Sequence, residues 1–369
     1  MKTLAIDLGT TNTVAAVANH VFSLSDEGML LPSVVGFLPN GSIQIGTTAR
    51  RRRVIDPVNT VWSSKRLIGR RFSESTTRSF AERHPHQLVE AEDGTVLFET
   101  RAGRHSPAQI AALILGEVVR RAGSLAGETR VKIAVPADFG NAQWQATLDA
   151  AELAELPHTR LVPEAMAVAW AYLSEPRSFE RAVVYDLGGG TFDCAVVDGS
   201  GDAPRLLAHA SDLFLGGDDI DQQIAGWVAR TVLEKHNWDL TDYREVYDRL
   251  VARCEEAKIQ LSERREVPLH LSQVDPECPA AAHDVTLTRA VVDDLCGDLV
   301  GRTFVVCDEA LASAGVRPAE VDAVFLAGGS TFLPVVQEGV RSYFGRAGLL
   351  DFDPTQVVAR GISMAPADF

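Results

Sequence analysis

The chain has 369 residues, more than one compact core usually holds, so two domains are expected. Hydrophobic residues make up 46% and charged residues 23%, which excludes a disordered chain, a collagen and a coiled coil. The net charge of −15 is uneven: residues 1–133 carry 17 basic and 12 acidic groups, and the remainder carries −20. Between Arg50 and Arg71, eight basic residues stand against Asp56 alone. Such a stretch suits nucleic acid, a solvated helix face or one wall of a cleft for an anionic ligand, and the acidic remainder argues against nucleic acid. The longest apolar run, Ala165 to Leu173, is about half of the roughly 18 residues a membrane helix needs, so no membrane partner is expected. The N-terminus shows no signal-peptide pattern, and the five cysteines contain no C-x-x-C pair. A cytoplasmic location with reduced thiols follows as the expectation.

The first segment, TLAIDLGTTNTVAAVA, is an apolar run, a small polar turn and a second apolar run, which reads as a β-hairpin. His84 and His86 flank a proline in a polar loop and are expected to be exposed. VKIAVPADF (131–139) is a strand ending at Pro136, and 141–156 is helical with Asn141 as its N-cap. A small-residue helix follows over 163–175. The hairpin pattern then returns as RAVVYDLGGGTFDCAVVD, and its Asp-Leu-Gly triplet at Asp186 lies 179 residues after the one at Asp7. That half-length spacing predicts a duplicated α/β core. Amphipathic helices follow over 218–236 and 242–262, the second with Val246, Leu250, Cys254, Ala257 and Leu261 on one face. Residues 321–344 read as strand, glycine turn and helix, and the alternation of strands and helices predicts mixed sheets. Segments around 35–104 and 216–286 look like insertions, one per half.

A phosphate needs many donors in a small space, and glycine-rich hairpin turns provide converging backbone N–H groups. GTTN (9–12) and GGGT (188–191) are such turns, and each follows an aspartate at a strand end. Two acidic groups facing one polyphosphate would repel it, which implies Mg²⁺ held by carboxylates through water. A third glycine motif, LAGGST (326–331), would let a flat ligand approach backbone at Gly328 and Gly329. There is no P-loop, no nucleophile elbow and no H-E-x-x-H motif, and GGGTFD runs into a strand, which excludes a dinucleotide fingerprint.

On these residues the chain resembles the actin/hexokinase/heat-shock ATPase superfamily. Within it, the chain is similar to the nucleotide-binding domain of the heat shock protein 70 (DnaK-type) family. IDLGTTN, SSKRLIGRRF, AVPADFGNAQWQAT, YDLGGGTFD, LGGDDID, EEAKIQLS and LAGGSTFLP match that family in order, over essentially the whole chain. The resemblance implies an α/β, actin-like ATPase fold of two lobes, each a mixed-sheet core with one insertion. It places lobe I at 1–180 (core 1–34 and 105–180, insertion 35–104). Lobe II is 181–369 (core 181–215 and 287–369, insertion 216–286), and the family's substrate-binding domain is absent from this chain.

The resemblance also implies roles. Gly9, Thr10, Thr11 and Asn12 form the first phosphate turn, with Thr10 near the γ-phosphate or the attacking water. Gly188, Gly189, Gly190 and Thr191 form the second turn, and Gly217 adds a phosphate contact. Asp7, Asp186 and Asp193 surround Mg²⁺ and accompanying K⁺. Lys65 reaches the γ-phosphate and Glu164 orients water near the metal. Glu255, Lys258 and Ser262 hold ribose and adenine, and Gly328, Gly329 and Ser330 line the other side of the nucleoside. The implied activity is slow hydrolysis of ATP to ADP and phosphate by a chaperone-type ATPase, with lobe closure as its output. Alternatives are a nucleotide-dependent interaction module with little hydrolysis and a small-molecule kinase. The family also implies a nucleotide-exchange factor as a partner.

Several positions depart from the family. VPEA stands for the usual NEP, and Phe332 for an arginine that stacks on adenine. Trp144 stands for an arginine that relays nucleotide state, and Asp138 for a tyrosine on the surface that meets J-domain co-chaperones. The surface around Trp144 is therefore expected to suit a different, apolar protein partner.

Overall fold

A computed structural model describes residues 2–123, 130–174, 179–201 and 203–366. The two Asp-Leu-Gly segments each build the middle of a sheet. In the first lobe, Thr3–Leu8 runs antiparallel to Asn12–Val17 and parallel to Arg130–Val135, which is in turn parallel to Arg160–Pro163. In the second lobe, Arg181–Leu187 runs antiparallel to Phe192–Asp198 and parallel to Ala323–Ala327. The pairing pattern is thus repeated, with Asp7 and Asp186 at equivalent strand ends, as duplication predicts.

The insertions differ. The first holds two small three-stranded sheets, including Val34–Phe37 with Thr60–Trp62 and Gln87–Glu90 with Val96–Thr100, and the helix Ser75–Arg83. The second holds the helices Gly217–His236 and Arg244–Leu261 and the hairpin Glu266–His270 with Asp284–Thr288. Val246, Leu250, Cys254, Ala257 and Leu261 are all buried, as their helical spacing required. Helix Asn141–Leu153 is capped by Gly140, not Asn141: the Gln143 side chain reaches back to accept from the Gly140 N–H at 3.1 Å.

A shared apolar layer joins the lobes. Ala5, Ala16 and Ala134 of the first sheet, Val184, Ala195 and Ala327 of the second, and helix Glu164–Leu173 belong to one buried cluster. The final helix, Val357–Met364, also packs here, against Glu164–Leu173 and the first lobe's strands. Its packing therefore differs from an assignment of 287–369 to the second lobe alone. The small side chains of AMAVAWAYL let these two helices and both sheets approach closely. All five cysteines are buried and none forms a disulfide.

His84 and His86 are not exposed. His86 is buried edge-on to Trp62 at 4.2 Å and to Phe98 at 5.5 Å, and His84 stacks on Phe80 at 3.9 Å. The proline between them places both rings against the insertion's aromatic core. Burial pushes His86 down to about 3, with Arg53 adding to the effect. Burial likewise pushes His84 well down, with His86, Arg66 and Arg53 adding to it. An unfolded chain protonates these imidazoles near the ordinary value of 6.5, whereas the folded one resists. Their contribution is therefore fully present above pH 6.5 and is lost as pH falls toward 3. We expect urea-unfolding stability, followed by far-ultraviolet circular dichroism, to fall between pH 7 and 4 more steeply in the wild type than in His86→Phe. The slopes should differ by up to about 1.4 kcal/mol per pH unit. Parallel slopes contradict this.

Candidate functional site

The turns after Asp7 and Asp186 meet at the floor of the cleft between the lobes, around a cavity of about 640 Å³. Their carbonyls are tied back into protein. Ser33 Oγ donates to the Gly9 carbonyl at 2.7 Å, and the Ser33 N–H to the Thr11 carbonyl at 2.9 Å. The Gly188 carbonyl accepts from the Gly217 N–H at 3.1 Å and from Ser330 Oγ at 2.9 Å. The Gly189 carbonyl accepts from the Asp218 N–H, and the Gly190 carbonyl from the Arg66 guanidinium at 2.7 Å. A trans peptide points its N–H opposite to its C=O, so the amides of Thr10, Gly189 and Thr191 turn the other way. All three residues line the cavity. The two turns also touch: a Cβ on Gly189 would lie 2.1 Å from Thr11 Oγ1, so only glycine permits this approach.

Below the turns lie Asp7, Asp186, Asp193 and Glu164, with Lys65 against them. Lys65 sits on the short 3-10 turn Ser64–Leu67, and its Nζ donates to Glu164 Oε1 at 2.6 Å. Glu164 opens helix Glu164–Leu173, where the N-terminal dipole favours a carboxylate. Burial alone would discharge Lys65, but Glu164, Asp7 and Asp193 outweigh it and hold its pKa above the ordinary lysine value. Burial, with Glu164 beside it, pushes Asp7 up to about 7 despite Lys65. Burial and Glu164 also push Asp186 well up, with Asp7 adding to it. Asp193 is raised by burial, Glu164 and Asp138. Such a surplus of crowded carboxylates calls for a hard cation. Among the described residues no three metal-ligating side chains converge at direct-ligand spacing. Carboxylates beside an open cavity are donors that suit a hydrated hard cation such as Mg²⁺.

The upper walls come from two elements. Helix Arg244–Leu261 and its C-cap contribute Glu255, Lys258, Ile259 and Ser262; the glycine turn opposite contributes Gly328, Gly329, Ser330 and Phe332. Asn12 also lines the cavity. Ile259 and Phe332, 57% and 38% exposed, present apolar side chains to the cavity from these two elements.

Two expected phosphate contacts lie off this wall. Gly190 sits behind the second turn, its carbonyl taken by Arg66. Gly217 opens helix Gly217–His236; its N–H serves Gly188 and its carbonyl accepts from Lys258 Nζ at 2.9 Å. Two expected nucleoside contacts have other partners. Lys258 forms a buried ion pair with Asp221 at 2.8 Å. Glu255 bridges across the cleft to Arg50 at 2.8 Å and to Arg53 at 4.0 Å. Burial pushes Glu255 up, but Arg50, Arg53 and Lys258 more than reverse this and its carboxyl lies below the usual range. Sequence reading missed Ser33, Arg66 and Asp221, whereas it did set Ile259 opposite Phe332, and both line the cavity. Asp221 had a signal, since the helical period puts it on the buried face with Ile220 and Ile224; Ser33 and Arg66 act through contacts distant in sequence.

A family profile described as Hsp70 protein matches residues 3–367. The chain belongs to the Hsp70 family. Relatives include the proteins named "Chaperone protein DnaK" from two strains of Thermus thermophilus, each 37% identical over 98% of this chain and 60% of the relative. The chain thus spans about 60% of the length of these relatives. Its two duplicated lobes are the actin-like fold of the Hsp70 nucleotide-binding domain.

In this Hsp70 chain, Asp138 Oδ2 accepts from Ser211 Oγ at 2.6 Å, which links the loop before helix Asn141–Leu153 to the second lobe's edge strand. Trp144 and Leu148 are half-buried, and Leu153 is exposed. Among the described residues no helix is long and apolar enough to cross a membrane.

The Lys258–Asp221 pair joins the two helices of the second insertion. Burial pushes Asp221 up to about 7, against the pull of Lys258. Removing one partner of a buried pair leaves an uncompensated charge, at a cost of about 3–5 kcal/mol, whereas replacing both with apolar groups is far milder. Urea unfolding should therefore show Lys258→Met strongly destabilised and Lys258→Met/Asp221→Leu largely restored. A double variant worse than the single one contradicts the pairing.

Proposed function

We propose that the chain binds ATP between its lobes and hydrolyses it to ADP and phosphate, as the nucleotide-binding part of an Hsp70-like chaperone. The observation that carries this reading is the Lys65–Glu164 pair, set among three aspartates where the two glycine turns meet. The family supports it, and so does the protein named "Chaperone protein DnaK" that the chain resembles over its length. In this reading the lobes are 1–180 and 181–369, with the final helix Val357–Met364 packed back on the first, and lobe closure is the output.

The turn amides of Thr10, Gly189 and Thr191 would hold the phosphates, with the Thr10 and Thr191 hydroxyls beside them. Asp7, Asp186 and Asp193 would hold Mg²⁺ through its waters, and K⁺ alongside; bound there, the metal supplies neutralising charge between phosphate oxygens. Lys65 Nζ counters the charge that grows on the γ-phosphoryl oxygens. Glu164, fixed by its bond to Lys65, orients the attacking water. That water's oxygen bonds to the γ-phosphorus as the bond to the ADP oxygen breaks, in line. Ile259 and Phe332 would clasp adenine between two apolar faces, in place of a cation, while Ser262 and Glu255 border the ribose. The half-buried face of Trp144 and Leu148 would meet a protein partner, and a nucleotide-exchange factor would act on the open lobes. The five unpaired, buried cysteines suit a reducing cytoplasm.

Lys65→Ala should lower single-turnover hydrolysis by about 10²–10³ while ATP still binds, since one preorganised charge is lost from the transition state. Unchanged hydrolysis removes the assigned role. Phe332→Ala should weaken ATP and ADP alike, by at most about 1–3 kcal/mol in calorimetric titration, since stacking does not read the phosphates. Loss of ATP binding alone would place Phe332 elsewhere.

A further inference from the structure

Arg66 follows Lys65 on the turn Ser64–Leu67, yet the two side chains part. Lys65 stays within its own lobe on Glu164. Arg66 crosses the cleft, and its side chain is only 3% exposed. Its terminal nitrogen donates to the Gly190 carbonyl at 2.7 Å and to Asp218 Oδ2 at 3.3 Å. Its guanidinium lies over the Phe214 ring at 5.3 Å, and Arg83, paired with Asp219 at 2.9 Å, lies over the same ring at 4.9 Å. Phe214 thus meets two cations of the first insertion.

This contact by itself requires glycine at position 190. A Cβ there would lie 1.9 Å from the Arg66 terminal nitrogen and 2.7 Å from the guanidinium carbon, both deeply enclosed. The glycine is the space into which the arginine docks. Holding the Gly190 carbonyl fixes the peptide that ends in the Thr191 N–H, and that N–H points the opposite way, on a residue of the cavity wall. One rigid turn of chain therefore carries both Lys65 and the group that orients the second glycine turn.

We propose that Arg66 is a positioning residue: by docking on Gly190 it sets the second phosphate turn against Lys65 when the lobes are together. This rests on the ATP-hydrolysis reading above. Arginine suits the task because it stays charged when buried and its planar fork can reach a carbonyl, a carboxylate and a ring at once. Without it, the turn and Lys65 belong to lobes free to shift relative to one another, and small misplacements of reacting groups cost up to about 10²-fold in rate.

The test uses the full chain with Mg²⁺ and compares wild type, Arg66→Met, Arg66→Lys, Gly190→Ala and Arg66→Ala/Gly190→Ala. ATP affinity and the single-turnover rate constant are measured separately, with circular dichroism confirming that each variant is folded. Arg66→Met and Gly190→Ala should each lower the rate constant by about tenfold to a hundredfold with ATP affinity near wild type. Arg66→Lys should recover part of the rate. The double variant, which has neither arginine nor clash, should be no slower than the slower single variant, because both changes break one contact. If Gly190→Ala fails to fold, the double variant, freed of the clash, still reports the loss of docking alongside Arg66→Met. A wild-type rate in Arg66→Met overturns the proposal while leaving the ATPase reading intact, and so do multiplying losses in the double variant or losses seen only in affinity. A wild type that binds ATP without cleaving it overturns the ATPase reading and this inference with it.

Discussion

Four carboxylates, Asp7, Asp186, Asp193 and Glu164, share the floor of the cleft with a single lysine. Left alone they repel each other, and burial raises three of them well above their ordinary pKa. Protons held by the aspartates or positive charge brought beside them relieve that repulsion, and Lys65 supplies such charge from one side. Everything around the floor serves to hold these groups while keeping the space above them open. The duplicated hairpins deliver Asp7 and Asp186 to equivalent strand ends. Ser33, Ser330 and helix Gly217–His236 pull the turn carbonyls outward. The small-residue helix that begins at Glu164 brings both sheets close enough for the floor to be shared.

The uneven charge of the chain has the same origin. Part of the basic stretch from Arg50 to Arg71 lines the cleft, whereas Arg51 and Arg71 are exposed. Arg50 and Arg53 meet Glu255, and Arg66 meets Asp218, while Arg83 just beyond the stretch meets Asp219. Part of the excess of +5 in the first third thus faces the acidic second lobe across the cleft. Charges on opposing lobes that approach only when the lobes are together make closure sensitive to ionic strength, most at the exposed Arg83 and least at the enclosed Arg66.

Elements whose chemistry is local were legible in the sequence. The turns at Gly9 and Gly188 carry their own signature, because glycine and small polar residues after an aspartate-ended strand leave few conformations. The helix face of Val246, Leu250, Cys254, Ala257 and Leu261 follows from period alone. Lys65 and Glu164 were legible only through the family resemblance, since neither spacing nor composition distinguishes them from surface charges; the structure brings them to 2.6 Å. What stayed hidden depends on contacts far apart in sequence. Gly190 reads as a phosphate glycine, and nothing in the sequence shows Arg66, 124 positions earlier, docked against it. Lys258 reads as a ligand contact, and nothing in the sequence shows that Asp221, on another helix, pairs with it. His86 reads as a loop residue until Trp62 and Phe98 close around it.

The central claim is that this cleft floor cleaves ATP with water. The most direct measurement is one turnover of stoichiometric ATP and Mg²⁺ by the full chain in ¹⁸O-enriched water, followed by mass analysis of the products. The account predicts ADP and free inorganic phosphate carrying a single solvent-derived oxygen, with no product when the metal is chelated. Bound ATP that remains intact, or phosphate that appears only on an added acceptor and without solvent oxygen, would contradict it.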